Sequence, residues 1–261
     1  MTKNWTGWHT IGLFVILLAI VLAAWQISTE QVLLLWLLIL GALLLFALVA
    51  GHGVTGRFWL GLLINEQNRI SLSRLQMLLW TLLVLSAFLT AVSINLKEGD
   101  FRIAAAIEIP EGVLVAMGIS TTSLVGSPLI LKEKKEKGNE PMLMKKFGVK
   151  TPEELTPEHT RSAVGILTRN THPQDARLHN LVGGEEIGNK ETLDLTRLQN
   201  LFFTLVLVGV YAVSLGYMLV DATPISEFPE LGSSAVTLLG ISHAGYLTSK
   251  AVDKTVSRKD S

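Results

Sequence analysis

The chain has no cysteine, which removes disulfides, thiolate nucleophiles and cysteine-held metals together. Charge is scarce as well. Asp, Glu, Lys and Arg make up 17% of the 261 residues, and none is placed deep inside a long apolar stretch. That argues against a transporter that binds and releases protons or Na⁺ through intramembrane charges. Also missing are a P-loop, a Ser/His/Asp constellation, a deep pair of carboxylates and any nucleic-acid motif. Neither an enzyme, a bound cofactor nor a nucleic-acid partner is therefore expected.

What is abundant is apolar surface. Hydrophobic residues are 49% of the chain, and the mean hydropathy is +0.44. They cluster into six segments, about 11–26, 32–50, 75–94, 112–131, 198–220 and 231–248. Each approaches the roughly 20 residues that cross a bilayer as a helix. The expected fold is an all-α integral membrane protein with six transmembrane helices. The first 25 residues also have features of a signal peptide, with Lys3 ahead of an apolar run, but the cleavage signal near "LAAWQ" is poor. They are read as a retained helix.

Net charge is zero, yet the charges are sorted. With Met1 inside, the outer segments hold only Lys97 and Arg102 against Glu30, Glu98, Asp100, Glu108, Glu111, Asp221, Glu227 and Glu230. Basic residues resist translocation, so this split places both termini in the cytoplasm of a bacterial-type inner or plasma membrane.

The chain also repeats itself. "SLSRLQMLLWTL" (71–82) and "DLTRLQNLFFTL" (194–205) are identical at seven of twelve positions. The match resumes as "EIPEGVLVAMGIS" (108–120) against "EFPELGSSAVTLLGIS" (227–242). The last four helices thus read as a tandem, parallel repeat of a two-helix hairpin, from about Gly61 to Leu131 and from about Gly184 to Val252. Four regions follow: a helix pair over 1–55, the first unit with an interfacial segment over 56–131, a cytoplasmic loop over 132–183, and the second unit with a short basic tail over 184–261.

Each unit opens with S/T-x-x-Q, Ser73 to Gln76 and Thr196 to Gln199, which predicts a capping box at the helix start. Arg74 and Arg197 would then lie at the inner interface and snorkel. The rival reading makes Arg74, Gln76, Arg197 and Gln199 a paired site for an anionic lipid head group or ligand. Pro110 and Pro229 are expected to open the return helices, with Glu111 and Glu230 at the positive end of the helix dipole. In an oligomer Glu108, Glu111, Glu227 and Glu230 would form an acidic rim that concentrates cations.

The return helices are rich in small and polar residues. Gly118, Thr122 and Gly126, matched by Gly240, Ala244 and Thr248, make a small-xxx-small ridge suited to close helix packing. A second face carries Ser120, Ser123 and Ser127, answered by Ser242, Gly245 and Ser249, and can either bond to neighbouring helices or line a hydrated path. His243 is the one strongly ionisable group well inside a span. It reads as a hydrogen-bonded neutral imidazole, a pH-gated or proton-relay group, or, least of all, a metal ligand.

"GHGVTG" (51–56) satisfies G-x-G-x-x-G but follows a membrane helix rather than a strand, so it is not read as a nucleotide fingerprint. The connection from Lys132 to Gly183 is far longer than an ordinary loop and is expected to be functional or disordered. His159, His172 and His179 within it lack metal-site spacing. The expected function is a homo-oligomeric, passive cation-permeable pore lined by the fourth and sixth helices. The alternative is a non-conducting membrane anchor or scaffold that recruits a cytosolic protein through the 132–183 loop. The expected partners are the lipid bilayer, further copies of the chain and that cytosolic protein.

Overall fold

The computed structural model describes residues 4–221 and 224–254. The basic tail expected at the end of the chain, over 255–261, lies outside the described residues. Six long helices run back and forth: α1 (Gly7–Gln26), α2 (Val32–Thr55), α3 (Leu72–Lys97), α5 (Glu111–Glu136), α8 (Leu195–Asp221) and α9 (Ser233–Ala251). The short helices α4 (Phe101–Ala105), α6 (Glu140–Phe147) and α7 (Pro157–Arg161) lie in connections. A two-residue hairpin, β1 (Ala163–Val164) with β2 (Leu167–Thr168), completes the described elements. The chain is an all-α polytopic membrane protein.

Five of the long helices, α1, α2, α3, α5 and α8, are long and apolar enough to cross a bilayer. α9 is not among them. Its 19 residues include Ser, Thr and Gly at many positions and His243, which dilute its hydropathy below that of its neighbours. α3 is the most enclosed of the five, packed by α2, α5 and α8. α1 is the most exposed, packing mainly on α2.

The core is apolar along α2 and α3, where Leu35, Ile39, Trp80, Ala87 and Ala91 are closed to solvent. Several polar groups inside it are paired, while Trp80 Nε1 has no partner among the described residues. Trp36 Nε1 donates to Ser86 Oγ at 2.9 Å. Asn95, near the end of α3, donates to the Ile225 carbonyl at 2.7 Å and accepts from the Ile225 amide at 2.8 Å. That pairing staples the 224–232 segment onto α3 where burial would otherwise leave backbone groups unsatisfied.

The opposite end carries the 56–71 and 132–194 connections, which fold together into a cap. α5 runs on past Leu131 and takes Lys132 to Glu136 into its last turns. The Ile166 amide then donates to the Lys134 carbonyl at 3.0 Å, and Gly165, at φ +56°, touches that carbonyl so closely that a Cβ would sit 2.0 Å from it. Only glycine meets both conditions. Asn68 and Asn170 exchange side-chain-to-carbonyl bonds of 2.9 and 2.8 Å. Arg57 Nη1 reaches the Ala176 carbonyl at 2.6 Å. The segment after α2 is thereby tied into the cap.

The glycines of "GHGVTG" belong to the last turn of α2 and its end. Gly51 lets Gly61 and Leu62 approach, since a Cβ there would lie 2.6 Å from the Leu62 nitrogen, and Gly56 ends the helix at φ +71°. They serve packing and chain reversal.

Candidate functional site

The polar side chains that the sequence singles out on the return helices converge in the bundle interior. Ser120, Ser123, Ser127, Ser242 and His243 are all buried, on two helices that pack against each other. Ser123 Oγ and His243 Nδ1 lie 2.5 Å apart. Ser242 donates to Asn200 Oδ1 at 3.3 Å. Gln76 Nε2 donates to the same oxygen at 3.0 Å and to Thr204 Oγ1 at 2.8 Å. Four helices thus share one polar layer. Four of its atoms have no partner: Gln76 Oε1, Ser120 Oγ, Asn200 Nδ2 and His243 Nε2. Such atoms are costly in a dry interior and suit water or another small polar guest.

The helix starts differ from expectation. α3 is capped by Ser71, whose Oγ accepts from the Arg74 amide at 3.5 Å. α8 is capped by Asp194, whose Oδ1 accepts from the Thr196 amide at 3.1 Å. Both caps lie two residues ahead of Ser73 and Thr196, so no capping box forms with Gln76 or Gln199. Gln76 turns sideways into the polar layer and Gln199 is exposed. Ser73, read from the sequence as a cap, instead lies 3.4 Å from Ser127 Oγ. Asn200 and Thr204 were not singled out by sequence reasoning. An Asn within the apolar run "RLQNLFF", one turn from a Thr, is the signal that could have found them.

Arg74 and Arg197 stand in the same sequence string, Arg-Leu-Gln, but not in the same environment. Arg197 is buried, pairs with Glu185 at 2.9 Å and donates to the Asn180 and Leu181 carbonyls at 2.8 and 3.1 Å. Arg74 is half-buried and donates once, to the Leu62 carbonyl at 3.3 Å. Around Arg197 lies an ionic cluster that joins cap to helices. Glu185 also pairs with Lys250 at 3.0 Å, and Lys250 reaches Tyr246 Oη at 3.0 Å. Burial pushes the Glu185 carboxyl up, but Lys250 and Arg197 outweigh it and hold the group well below the usual carboxylate range. Burial lowers the Arg69 guanidinium to about 10, opposed by Glu185. A second buried pair, Lys134 with Glu186 at 2.6 Å, ties α5 to the cap.

At the other end Glu108, Glu111, Glu227 and Glu230 are exposed. Glu108 and Glu227 face each other in a parallel bridge. Pro110 precedes α5 and places Glu111 in its first turn. Pro229 does not do the same for Glu230. α9 starts only at Ser233 behind Gly232, because Leu231 turns inward and the Pro229 carbonyl accepts from Tyr211 Oη at 3.1 Å.

Most of the small-residue ridge positions face outward. Gly118, Thr122, Ala244 and Thr248 are exposed, and a Cβ on Gly118 or Gly126 would meet nothing within 4 Å. Gly240 is half-buried, with Ile119 Cδ1 3.7 Å from its Cβ position. α5 and α9 touch through Ser123 with His243 and through Ile119 beside Gly240, while Ser127 turns to Ser73 of α3 and Ser242 to Asn200 of α8.

Among the described residues no group of three or more His, Cys, Asp or Glu side chains could hold a metal ion. His159 instead stacks on Phe147, with ring centroids 3.9 Å apart. Beside the polar layer, a cavity of about 500 Å³ opens between α3 and α5 next to Arg74. Comparison with known proteins finds no matching family model, no similar curated protein and no similar solved structure.

Proposed function

We propose that this protein is a membrane-embedded scaffold of a bacterial-type inner or plasma membrane, presenting a folded cytoplasmic cap to a cytosolic protein. The carrying observation is the pair of buried ionic ties, Glu185 with Arg197 and Lys250, and Lys134 with Glu186. Buried ion pairs add little net stability but fix geometry, which is what a docking platform requires and a passive linker does not. In this reading α9 is a sixth span, both termini are cytoplasmic, and α3–α5 and α8–α9 are tandem hairpins. Two relationships support the repeat: Ser71 and Asp194 cap at matched positions, and Glu108 meets Glu227. The contacts of α3 with α8 and of α5 with α9 fit an axis along the membrane normal.

The test replaces residues 140–161, the outlying α6 and α7, by a short flexible linker and compares crosslinked partners in native membranes. Loss of a specific cytosolic partner, with unchanged thermal stability of the bundle, supports the scaffold. An identical set of partners overturns it.

One observation favours a second reading, the homo-oligomeric cation-permeable pore: the unpartnered buried atoms of Gln76, Ser120, Asn200 and His243. They would hydrate a path along α5 and α9, with the exposed ridges of Gly118 and Ala244 available for self-association and the four acids as its rim. Voltage-clamped planar bilayers test it. Cation-selective currents that lose selectivity in Glu111→Gln with Glu230→Gln support the pore, and silent bilayers with verified insertion exclude a constitutive one.

A further inference from the structure

We propose that the crevice between α3 and α5 binds an anionic phospholipid, with an acyl chain in the slot and the phosphate on Arg74. The crevice holds about 500 Å³. Its walls are chiefly Met77, Leu78 and Thr81 of α3 and Leu124, Pro128 and Leu131 of α5. Ser71, Arg74, Leu78 and Thr81 recur every three or four residues, so they form one stripe. That stripe climbs roughly 15 Å from the cap end at the helical rise per residue. The slot is therefore apolar along its length and polar at one end, the shape of an amphiphile.

The mouth carries positive charge that the protein does not consume. Arg74, Lys135 and Lys250 line it, and Glu66 is the one acid among the lining residues. Glu66 is neutralised by Lys135 at 2.7 Å, and Lys250 is held by Glu185. Arg74 makes no ion pair among the described residues, and its one side-chain bond, to the Leu62 carbonyl, is 3.3 Å long. Its repeat counterpart Arg197 has a carboxylate and two carbonyls, all supplied by the 180–185 segment of the cap. Arg74 is thus a guanidinium with donors to spare beside an apolar wall.

A phosphate monoanion can take two of those donors in parallel. The attached chain would cover the Met77 and Leu124 walls and remove their apolar surface from water. Inorganic phosphate would leave the slot unfilled, and a zwitterionic lipid would bring its own cation to a mouth that is already positive. If the cap faces the cytoplasm, the mouth opens on the leaflet that carries anionic lipid. The proposal stands whether the bundle scaffolds or conducts.

The test uses the purified full chain in a mild non-ionic detergent, with equimolar phosphatidylglycerol and phosphatidylcholine of identical chains, and native mass spectrometry to count bound lipid. Wild type should retain phosphatidylglycerol in preference. Arg74→Gln should reduce that preference about fivefold, the factor matching ~1 kcal/mol per basic residue near a membrane surface. Arg74→Lys should keep most of it, and Leu124→Trp should displace both lipids by filling the slot. Arg102→Gln, exposed at the far end, should change nothing. Equal retention of the two lipids by wild type overturns the proposal, as does a preference that survives both Arg74→Gln and Leu124→Trp. Stabilisation by inorganic phosphate alone as large as by phosphatidylglycerol would also overturn it, in favour of a soluble anion. Should Arg74→Gln fail to fold, Leu124→Trp and Arg74→Lys decide the matter.

Discussion

Ser123 on α5 and His243 on α9 meet through a 2.5 Å hydrogen bond inside the bundle, and the far ring nitrogen of His243 has no partner. One contact therefore satisfies half of a buried imidazole. Hydrogen bonds between membrane helices average about 0.6 kcal/mol and reach about 1.7 kcal/mol.

Ser123→Ala should fall at the upper end of that range, about 1–2 kcal/mol, because it leaves both ring nitrogens unpaired. The double variant Ser123→Ala with His243→Leu removes the need along with the bond and should be closer to wild type. Thermal unfolding followed by tryptophan fluorescence in detergent reads both. Equal losses in the single and double variants would show that this bond carries no stability.

Glu185 is the hub of the ionic cluster, so Glu185→Gln should be among the most damaging single changes in the cap. It leaves Arg197 and Lys250, both enclosed, without their counter-charge. Breaking a buried ion pair from one side costs about 3–5 kcal/mol, and the partial exposure of Glu185 places this case near the lower figure. Limited proteolysis should then cut within 137–194 while sparing the long helices. A protease pattern identical to wild type would contradict a cap held by this cluster.

The same carboxylate sets an acid limit. Its folded-state pKa lies below its unfolded value of about 4.3, so its contribution is complete above that pH and is lost as pH falls toward the folded value. Asp194 acts in the same sense: burial raises its carboxyl, while Lys254 and Thr196 outweigh burial and lower it. Melting temperature should be flat from pH 8 to about 5 for these two groups and decline below about 4.5. In Glu185→Gln the acid decline should be shallower, and an unchanged slope would remove Glu185 from the account.

Gly51 faces the backbone of Gly61 and Leu62, where a Cβ would sit 2.6 Å from the Leu62 nitrogen. Gly51→Val should force α2 away from the 61–63 turn and cost about 1–3 kcal/mol as an overpacked contact. Gly118→Val, with nothing within 4 Å of its Cβ position, should leave the single chain unaffected. A melting temperature lowered in Gly118→Val and not in Gly51→Val would reverse this assignment. Reduced self-association of Gly118→Val, seen by crosslinking, would instead place the ridge at an interface between copies.

The proposed orientation is open to direct labelling, because the chain has no cysteine of its own. Glu98 and Lys145 are both exposed, at opposite ends of the bundle. In intact cells an impermeant maleimide should label Glu98→Cys and should reach Lys145→Cys only after lysis. The opposite pattern would invert the topology.

The membrane class and five of the spans were determined by the sequence alone, because a run of some 20 apolar residues has no other stable solution. The approximate starts of α3 and α8 were also legible, but not the capping residues. S-x-x-Q and S-x-x-R patterns overlap there, and Gln76 is drawn inward by Asn200 on another helix rather than back to its own amide. Tertiary structure alone decided that Ser123 of α5 meets His243 of α9 and that Gly118 and Ala244 stay outside, since periodicity says which residues share a face and not what that face meets. It also decided that 132–194 is a cap: ties such as Lys134 to Glu186 and Arg69 to the Gly184 carbonyl join residues far apart in the chain, and local patterns carry no trace of them. Identical letters at Arg74 and Arg197 came to differ for the same reason, because Glu185 of the folded cap pairs with Arg197 while Arg74 meets only the Leu62 carbonyl.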